Sequence, residues 1–247
     1  MIPAWLSFFD AILAAVLAVV GILGAHFYFV EPFLGFQIFV LGFLLSLVGF
    51  VFGAIGIVAT RSPRRTPVRP RAVFGTVVNL IVAVPVILII LGSRKYPAIN
   101  DITTDFDNSP AFVRATELDA NRGRDMKYDK EKYQARQQAG YGELAPLKVA
   151  SDPDATFAKV EATAKGITTW MITADDTKAR ALEGIATSRL FHFHDDFVIQ
   201  VRPASDGPGS LVEMRSKSRD GIGDFGMNYK RIKMFFGKLA ADSGASG

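Results

Sequence analysis

Apolar residues dominate the first 92 positions of the chain and fall into three long runs. They extend from about Trp5 to Phe29, from Phe33 to Ala59 and from Ala72 to Leu91. Each has about 20 or more residues, enough for an α-helix rising 1.5 Å per residue to cross a bilayer core of about 30 Å. The pattern therefore predicts an α-helical transmembrane region of three spans over residues 1–92, with the lipid bilayer as its partner.

The loops between these runs predict their orientation. A tight turn at Glu31 and Pro32 joins the first two runs, whereas residues 61–71 between the second and third contain five arginines. Because Lys and Arg near span ends stay on the cytoplasmic side, the N-terminus is expected in the cytoplasm and the chain after residue 92 outside it. This predicts a multi-pass protein of the bacterial inner (cytoplasmic) membrane with a periplasmic, extracytoplasmic domain.

A row of small residues in the second run predicts close helix packing. Its members are spaced three, four or seven apart and lie on one helix face: Gly35, Gly42, Ser46, Gly49, Gly53 and Gly56. The first run carries a matching row, at Ala14, Ala18, Gly21 and Ala25. Because helices in lipid associate through contacts between small residues, we expect spans one and two to form an antiparallel hairpin. The alternative is that the row faces another membrane protein complex.

The chain beyond residue 92 changes character twice. Residues 93–146 have scattered apolar positions among turn-forming residues and predict an extended, irregular connection. Residues 147–241 regain periodicity and predict a soluble domain, and residues 242–247 predict a flexible tail.

Within residues 147–241 the order of the predicted elements is helix, four strands, helix. A helix is predicted over 155–165, and strands are predicted over 167–173, 179–190, 197–202 and 212–217. Apolar and polar positions alternate most clearly in the last two, as in antiparallel strands with one buried face. Asp224 is positioned to cap the last helix. The fold class is therefore an α+β two-layer domain with a four-stranded antiparallel sheet and two main helices.

The amino-acid composition argues against several classes of function. The mean hydropathy is +0.24, and the chain has no cysteine, which excludes disulfides and thiolate chemistry. Five of its 28 basic and two of its 24 acidic residues precede position 93, so the rest of the chain is nearly neutral. The absence of a basic excess there argues against a nucleic-acid partner, and no motif calls for a cofactor.

A polar set near the end of the domain is the candidate binding site. Arginines bind carboxylates and phosphates bidentately, and they also join elements through internal ion pairs, the use that we favour here. The candidate ligand-binding residues are Arg189, Arg215, Arg219, Asp224, Asn228 and Arg231. His192 and His194 are weak candidates for metal binding, because two histidines at one short spacing are a poor signal and no metal site is expected.

Several segments of the domain resemble one known family. They are Ile99 to Phe112, Thr187 to Phe191 with Asp195 and Asp196, Arg215 to Arg219, and Gly223 to Asn228 with Arg231 and Ile232. In combination they resemble the family called domain of unknown function 1499 (DUF1499), over about residues 96–240, in a membrane-bound form. The resemblance implies a bacterial or plastid-related membrane or envelope setting and no established chemistry.

Catalysis is not favoured, and no catalytic residue is predicted. The chain lacks a Gly-x-Ser-x-Gly elbow, an HExxH helix and a phosphate loop. The favoured function is a membrane-anchored envelope accessory protein that acts through protein–protein interaction. The alternatives are a binding module for a small anionic envelope ligand at the arginine-rich face, and a hydrolase with an unrecognised site.

Overall fold

A computed structural model describes residues 1–142, 144–205 and 207–243. The helices are α1 (Ile2–His26), α2 (Pro32–Ala59), α3 (Arg69–Ser93), α4 (Arg114–Glu117), α5 (Lys130–Tyr141), α6 (Pro153–Lys165) and α7 (Met227–Ser243). The strands are β1 (Asp101–Thr103), β2 (Leu147–Val149), β3 (Trp170–Asp176), β4 (Ala181–Thr187), β5 (His194–Pro203) and β6 (Ser210–Ser218). Of the predicted tail, residues 244–247 lie outside the described part.

The chain divides into two compact units. The first comprises Met1–Ser93 together with Arg189–His192, and the second comprises the remaining residues from Arg94 onwards. Three helices of the first unit are long and apolar enough to cross a membrane. The first unit is therefore helical and the second is the α+β domain.

The small residues of α2 are buried where the three long helices meet. A methyl group added at Gly42 would lie 2.8 Å from the carbonyl oxygen of Ala14 and 2.9 Å from the amide nitrogen of Ala18, both in α1. At Gly56 it would lie 3.1 Å from Ala4 of α1 and 3.0 Å from Ala72 of α3. The backbones thus approach more closely than larger side chains would allow, as is typical of helices packed in lipid. Large apolar side chains of the three helices point outward.

The sheet has six strands rather than the predicted four. Its order is β1-β6-β5-β4-β3, with β2 also paired to β6, and every pairing is antiparallel. The two additional strands, β1 and β2, have three residues each. Three residues are too short to show an alternating pattern, and these segments become strands because β6 offers them a free edge.

One face of the sheet carries the main hydrophobic core. Helices α6 and α7 cover this face, and the apolar core includes Phe157, Val160, Phe197, Ile199, Val212, Met214, Ile232, Phe235 and Leu239. On α6, the Asp152 carboxylate accepts hydrogen bonds from the amides of Asp154 and Ala155 and so caps the helix. The opposite face carries charged side chains, which residues from the connection between β1 and α5 help to bury.

Candidate functional site

A buried ion-pair cluster occupies the polar face of the sheet at β6 and β1. Arg215, only 1% exposed, donates from Nε and Nη2 to the two carboxylate oxygens of Asp101 at 2.9 and 2.8 Å. Lys217 Nζ donates to the same carboxylate at 2.8 Å. The Arg215 guanidinium also lies over the rings of Phe112 and Tyr128, at 4.8 and 5.3 Å from their centroids. Three charges are thus removed from water together.

Tyr128 belongs to the same cluster. Burial, together with the neighbouring negative charge of Asp101, raises the pKa of its hydroxyl group. The hydroxyl oxygen is buried and has no hydrogen-bond partner in the described part of the chain. Tyr128 is therefore uncharged at neutral pH and packs against the cluster with its ring. Ionising its hydroxyl would place a negative charge beside Asp101.

Arg219 is paired in the same way at the end of β6. Its Nε and Nη2 atoms donate to the two carboxylate oxygens of Asp196, at 3.0 and 2.6 Å. The same carboxylate accepts a hydrogen bond from Asn121 Nδ2 at 2.9 Å, and Arg124 Nη1 lies 3.9 Å away. Asp196 thus ties β5 to β6 and to the connection that covers this face.

Arg231 and Asn228 join helix α7 to the sheet. Arg231 donates to the carboxylate of Asp195 and to Asn228 Oδ1, and it reaches Ser216 Oγ at 2.8 Å. Asn228 Nδ2 donates to Ser218 Oγ at 2.9 Å. Most of these polar atoms bond to one another, so the residues form an internal hydrogen-bond network that holds α7 against the sheet.

Asp224 begins the turn that leads into α7. Its carboxylate accepts hydrogen bonds from the backbone amides of Gly226 and Asn228, at 2.9 and 2.6 Å. Burial raises the pKa of the Asp224 carboxyl, and the two amide hydrogen bonds oppose that rise. Asp224 is thus used as a cap for the helix start.

The structure places the six predicted ligand-binding residues in different parts of the protein and does not bring them together as one site. Arg215 and Arg219 pair with carboxylates on the polar face of the sheet. Asn228 and Arg231 join α7 to the opposite face, and Asp224 caps α7. Arg189 is exposed and groups with the helical unit. Because three of the four arginines already bind carboxylates of the protein, an anionic ligand would have to displace those partners.

The two candidate histidines lie in different units. His192 groups with the helices, where its ring centroid lies 4.5 Å from that of His26. His194 begins β5, and its Nδ1 lies 3.1 Å from Thr187 Oγ1. Within the described residues, no group of three or more His, Asp or Glu side chains is arranged to hold a metal ion.

Two further buried carboxylates, Glu183 and Glu213, lie on the polar face of the sheet and are not among the six predicted ligand-binding residues. Glu183 of β4 accepts backbone hydrogen bonds from Val113, Arg114 and Ala115, at 2.7, 2.9 and 2.8 Å, and so caps α4. Glu213 of β6 lies on the same face of the sheet and is 2% exposed. Both occupy the polar side of the alternating pattern, which predicts exposure to water, so the sequence carries no local signal that they are buried.

Glu213 has a buried carboxylate oxygen, Oε2, without a hydrogen-bond partner among the described residues. Burial raises the pKa of its carboxyl to about 7, against the attraction of Arg202 and with a further rise from Asp105. Arg202 Nη2 lies 3.0 Å from Glu213 Oε2, although the oxygen lacks a partner in hydrogen-bond geometry. A buried carboxyl with such a pKa is suited to proton exchange near neutral pH.

A surface groove lies away from this cluster, on the helical layer. It has a volume of about 570 Å³ between α6 and α7 and is lined by Lys159, Ala162, Thr163, Gly166, Ile167, Lys238 and Ala241. The groove is open and shallow, and it contains none of the buried acids described above. The buried charges therefore lie outside this groove.

Comparison with known proteins identifies the family. No curated protein matches the chain. The sequence model of one family, described as "Protein of unknown function (DUF1499)", matches residues 101–239. That range is more than half of the chain and contains β1 to β6, the ion-pair cluster and most of α7. The chain therefore belongs to the DUF1499 family and joins that family's domain to three apolar helices able to span a membrane.

Proposed function

We propose that the protein is a membrane-anchored accessory protein of the bacterial envelope, whose domain contacts another membrane protein complex. Its three helices would lie in the inner membrane, with the N-terminus in the cytoplasm and the α+β domain in the periplasm. The arginines of residues 61–71 support this orientation, since basic loops stay in the cytoplasm.

The observation that carries the proposal is the internal pairing of the charged cluster. Arg215, Arg219 and Arg231 each bind a carboxylate of the same domain, so their hydrogen-bonding capacity stabilises the fold. A domain whose most concentrated polar groups are used in this way is better suited to present a stable surface than to bind a small anion.

A binding site for a small anionic envelope ligand is the second candidate, because a competing phosphate or carboxylate has the chemistry of the partners it would replace. A hydrolase is the third, and Glu213 would be its first residue to test.

The orientation is tested by cysteine labelling, which the cysteine-free chain makes simple. Ser62→Cys lies in the arginine loop and Lys127→Cys on the domain, and both positions are exposed. We expect a membrane-impermeant maleimide to label Lys127→Cys in cells with a permeable outer membrane. Ser62→Cys should react only after the inner membrane is opened. The reverse pattern would contradict the proposed orientation.

The accessory role is tested by purification. The tagged protein is solubilised from its native membrane in mild detergent, with and without prior crosslinking, and accompanying proteins are identified. A stoichiometric membrane complex is the expected result. Recovery of the protein alone after crosslinking would reject the accessory role and favour a search for small ligands.

A further inference from the structure

The turn between β6 and α7 exposes three large apolar side chains in the α+β domain. Ile222 is 88% exposed, Phe225 51% and Met227 45%. They occur within six residues, next to the buried cap Asp224. Apolar side chains concentrated in this way on a folded surface are typical of contact sites.

The backbone of this turn is fixed by hydrogen bonds to buried and partly buried polar side chains. Asp224 accepts the amides of Gly226 and Asn228, and Asn100 Nδ2 donates to the carbonyl oxygen of Gly221 at 2.6 Å. Phe225 has a φ of +53°, a conformation that is rare for a bulky residue and that costs free energy. The exposure of these side chains is therefore fixed by the fold rather than by a loose loop.

The turn packs on the segment of chain that leaves the third helix. A methyl group added at Gly223 would lie 3.0 Å from Ala98 Cα, and one at Gly226 would lie 2.7 Å from the ring of Tyr96. Tyr96 follows the end of α3 at Ser93 by three residues, which can extend at most about 11 Å. The covalent chain therefore limits the distance between the end of α3 and Tyr96, on which the turn packs.

The surroundings of the turn are basic and aromatic. Arg94, Lys95 and Lys230 are exposed. Lys95 Nζ and Lys230 Nζ lie 5.1 and 5.0 Å from the centroid of the Tyr96 ring. Tyrosine and lysine are enriched at membrane surfaces, where lysine reaches the headgroups while its alkyl stem stays on apolar groups. Basic side chains there are attracted to anionic lipids.

We propose that residues 221–227 form a lipid-contact site of the domain. Ile222, Phe225 and Met227 lie in the boundary between headgroups and acyl chains, and Lys95 and Lys230 contact the phosphates of anionic lipids. The site gives the domain a second attachment to the membrane besides α3. It goes beyond the accessory role and holds for either orientation of the protein, because it depends only on where α3 ends.

Spin labelling of the full chain tests the site. Ile222→Cys is the test variant and Val113→Cys is its matched control, since Val113 is also an aliphatic side chain, 68% exposed. Each labelled protein is placed in nanodiscs of phosphatidylglycerol and phosphatidylcholine. Collision rates with oxygen, which concentrates in lipid, and with a water-soluble nickel chelate are then measured by electron paramagnetic resonance.

Each outcome decides the proposal. We expect oxygen collisions to dominate at position 222 and nickel collisions to dominate at position 113. Water-like rates at both positions would overturn the proposal. Low rates with both reagents at position 222 would also overturn it, because they would show that protein rather than lipid covers the turn.

A second measurement tests the role of the lysines. The combined change Lys95→Gln and Lys230→Gln is made in the Ile222→Cys background. We expect the label in the parent to lie deeper in anionic than in purely zwitterionic nanodiscs, and the double change to remove that difference. An unchanged difference would overturn the contact with lipid phosphates.

Discussion

At the scale of single residues, the buried carboxylate of Asp101 is paired with two buried cations. It is fully buried and binds both Arg215 and Lys217, which are also buried. Removing one partner of a buried ion pair costs about 3–5 kcal/mol, because the remaining charge keeps its desolvation cost without its partner. Here the loss would leave two cations, so the stability of the domain depends strongly on this one group.

The change Asp101→Asn should therefore destabilise the domain by at least about 3 kcal/mol. Unfolding in urea can be followed through Trp170, whose ring centroid lies 4.2 Å from that of Phe197 in the core. The measurement uses a Trp5→Phe background, because Trp5 is the other tryptophan of the chain.

The control for Asp101 is Asp119→Asn. Asp119 pairs with Arg122, and both side chains are largely exposed. Exposed pairs contribute about 0–1 kcal/mol, so this change should leave the unfolding midpoint almost unchanged. Equal midpoint shifts for the two variants would refute the structural importance of the cluster.

Glu213 makes stability depend on pH in a defined direction. Its carboxyl has a pKa of about 7 in the folded protein and an ordinary value of 4.5, so the folded state binds the proton more tightly than the unfolded state. Stability from this group is complete below pH 4.5 and is lost as the pH rises to 7. The shift corresponds to a loss of up to about 3 kcal/mol.

Glu213→Gln should remove this dependence. We expect the variant to match the wild type near pH 4.5 and to exceed its unfolding free energy above pH 7. Urea unfolding at several pH values measures the difference. Glu117→Gln, at an exposed ion pair with Arg114, is the control and should follow the wild type. A constant difference between Glu213→Gln and the wild type at every pH would contradict the argument.

At the scale of elements, the glycines of α2 make unequal demands on their neighbours. A methyl group at Gly49 would meet the side-chain ends of Asp10 and Asn79, which have some freedom to move. At Gly42 the methyl group would meet the backbone of α1, which cannot move aside as a side chain can. Gly42 is therefore the more sensitive position, although the spacing alone does not distinguish the two.

Gly42→Ala should separate α1 from α2 and cost about 1–3 kcal/mol. Thermal unfolding in detergent, followed by circular dichroism of the helices, measures the loss. Gly92→Ala in α3 is the matched control, because nothing lies within 4 Å of the added methyl group. A similar melting temperature for both variants would show that close backbone packing does not hold the helices together.

The elements that could be predicted from sequence are those with a pattern in their own residues. The three long helices were predicted near their observed positions from their apolar runs. Strands β3 to β6 were predicted from short strand-like runs, whose alternation is clearest in β5 and β6. Strands β1 and β2 were not, since each is defined by its pairing with β6 rather than by its own residues. The α+β class was thus correct and the number of strands was wrong.

In the candidate site, residues close together in sequence could be identified, whereas contacts between residues far apart in sequence could not. The polar residues of β6 and α7 were identified because they lie close together in sequence. The sequence did not reveal that Asp101 binds Arg215, because 114 residues separate them. The balanced charge of residues 93–247 was the only sequence signal that the arginines have internal partners.

At the scale of the whole molecule, the α+β domain should fold without the helices. Its main core, from Ile99 to Leu239, is made entirely of residues from the second unit. We expect a fragment of residues 94–247 to show a cooperative thermal transition by circular dichroism and native-like fluorescence of Trp170. A fragment that unfolds without a transition would show that the helices supply part of its stability.

The position of β1 beside β6 also determines when the domain becomes complete during synthesis. Asp101 leaves the ribosome 114 residues before Arg215, an interval of about 6–23 s at 5–20 residues per second. Until then β1 has no strand to pair with, and an anionic side chain destined for the interior remains in water. The sheet therefore closes only near the end of translation, so a chain that stops before residue 210 leaves the first strand of the domain permanently open to proteases.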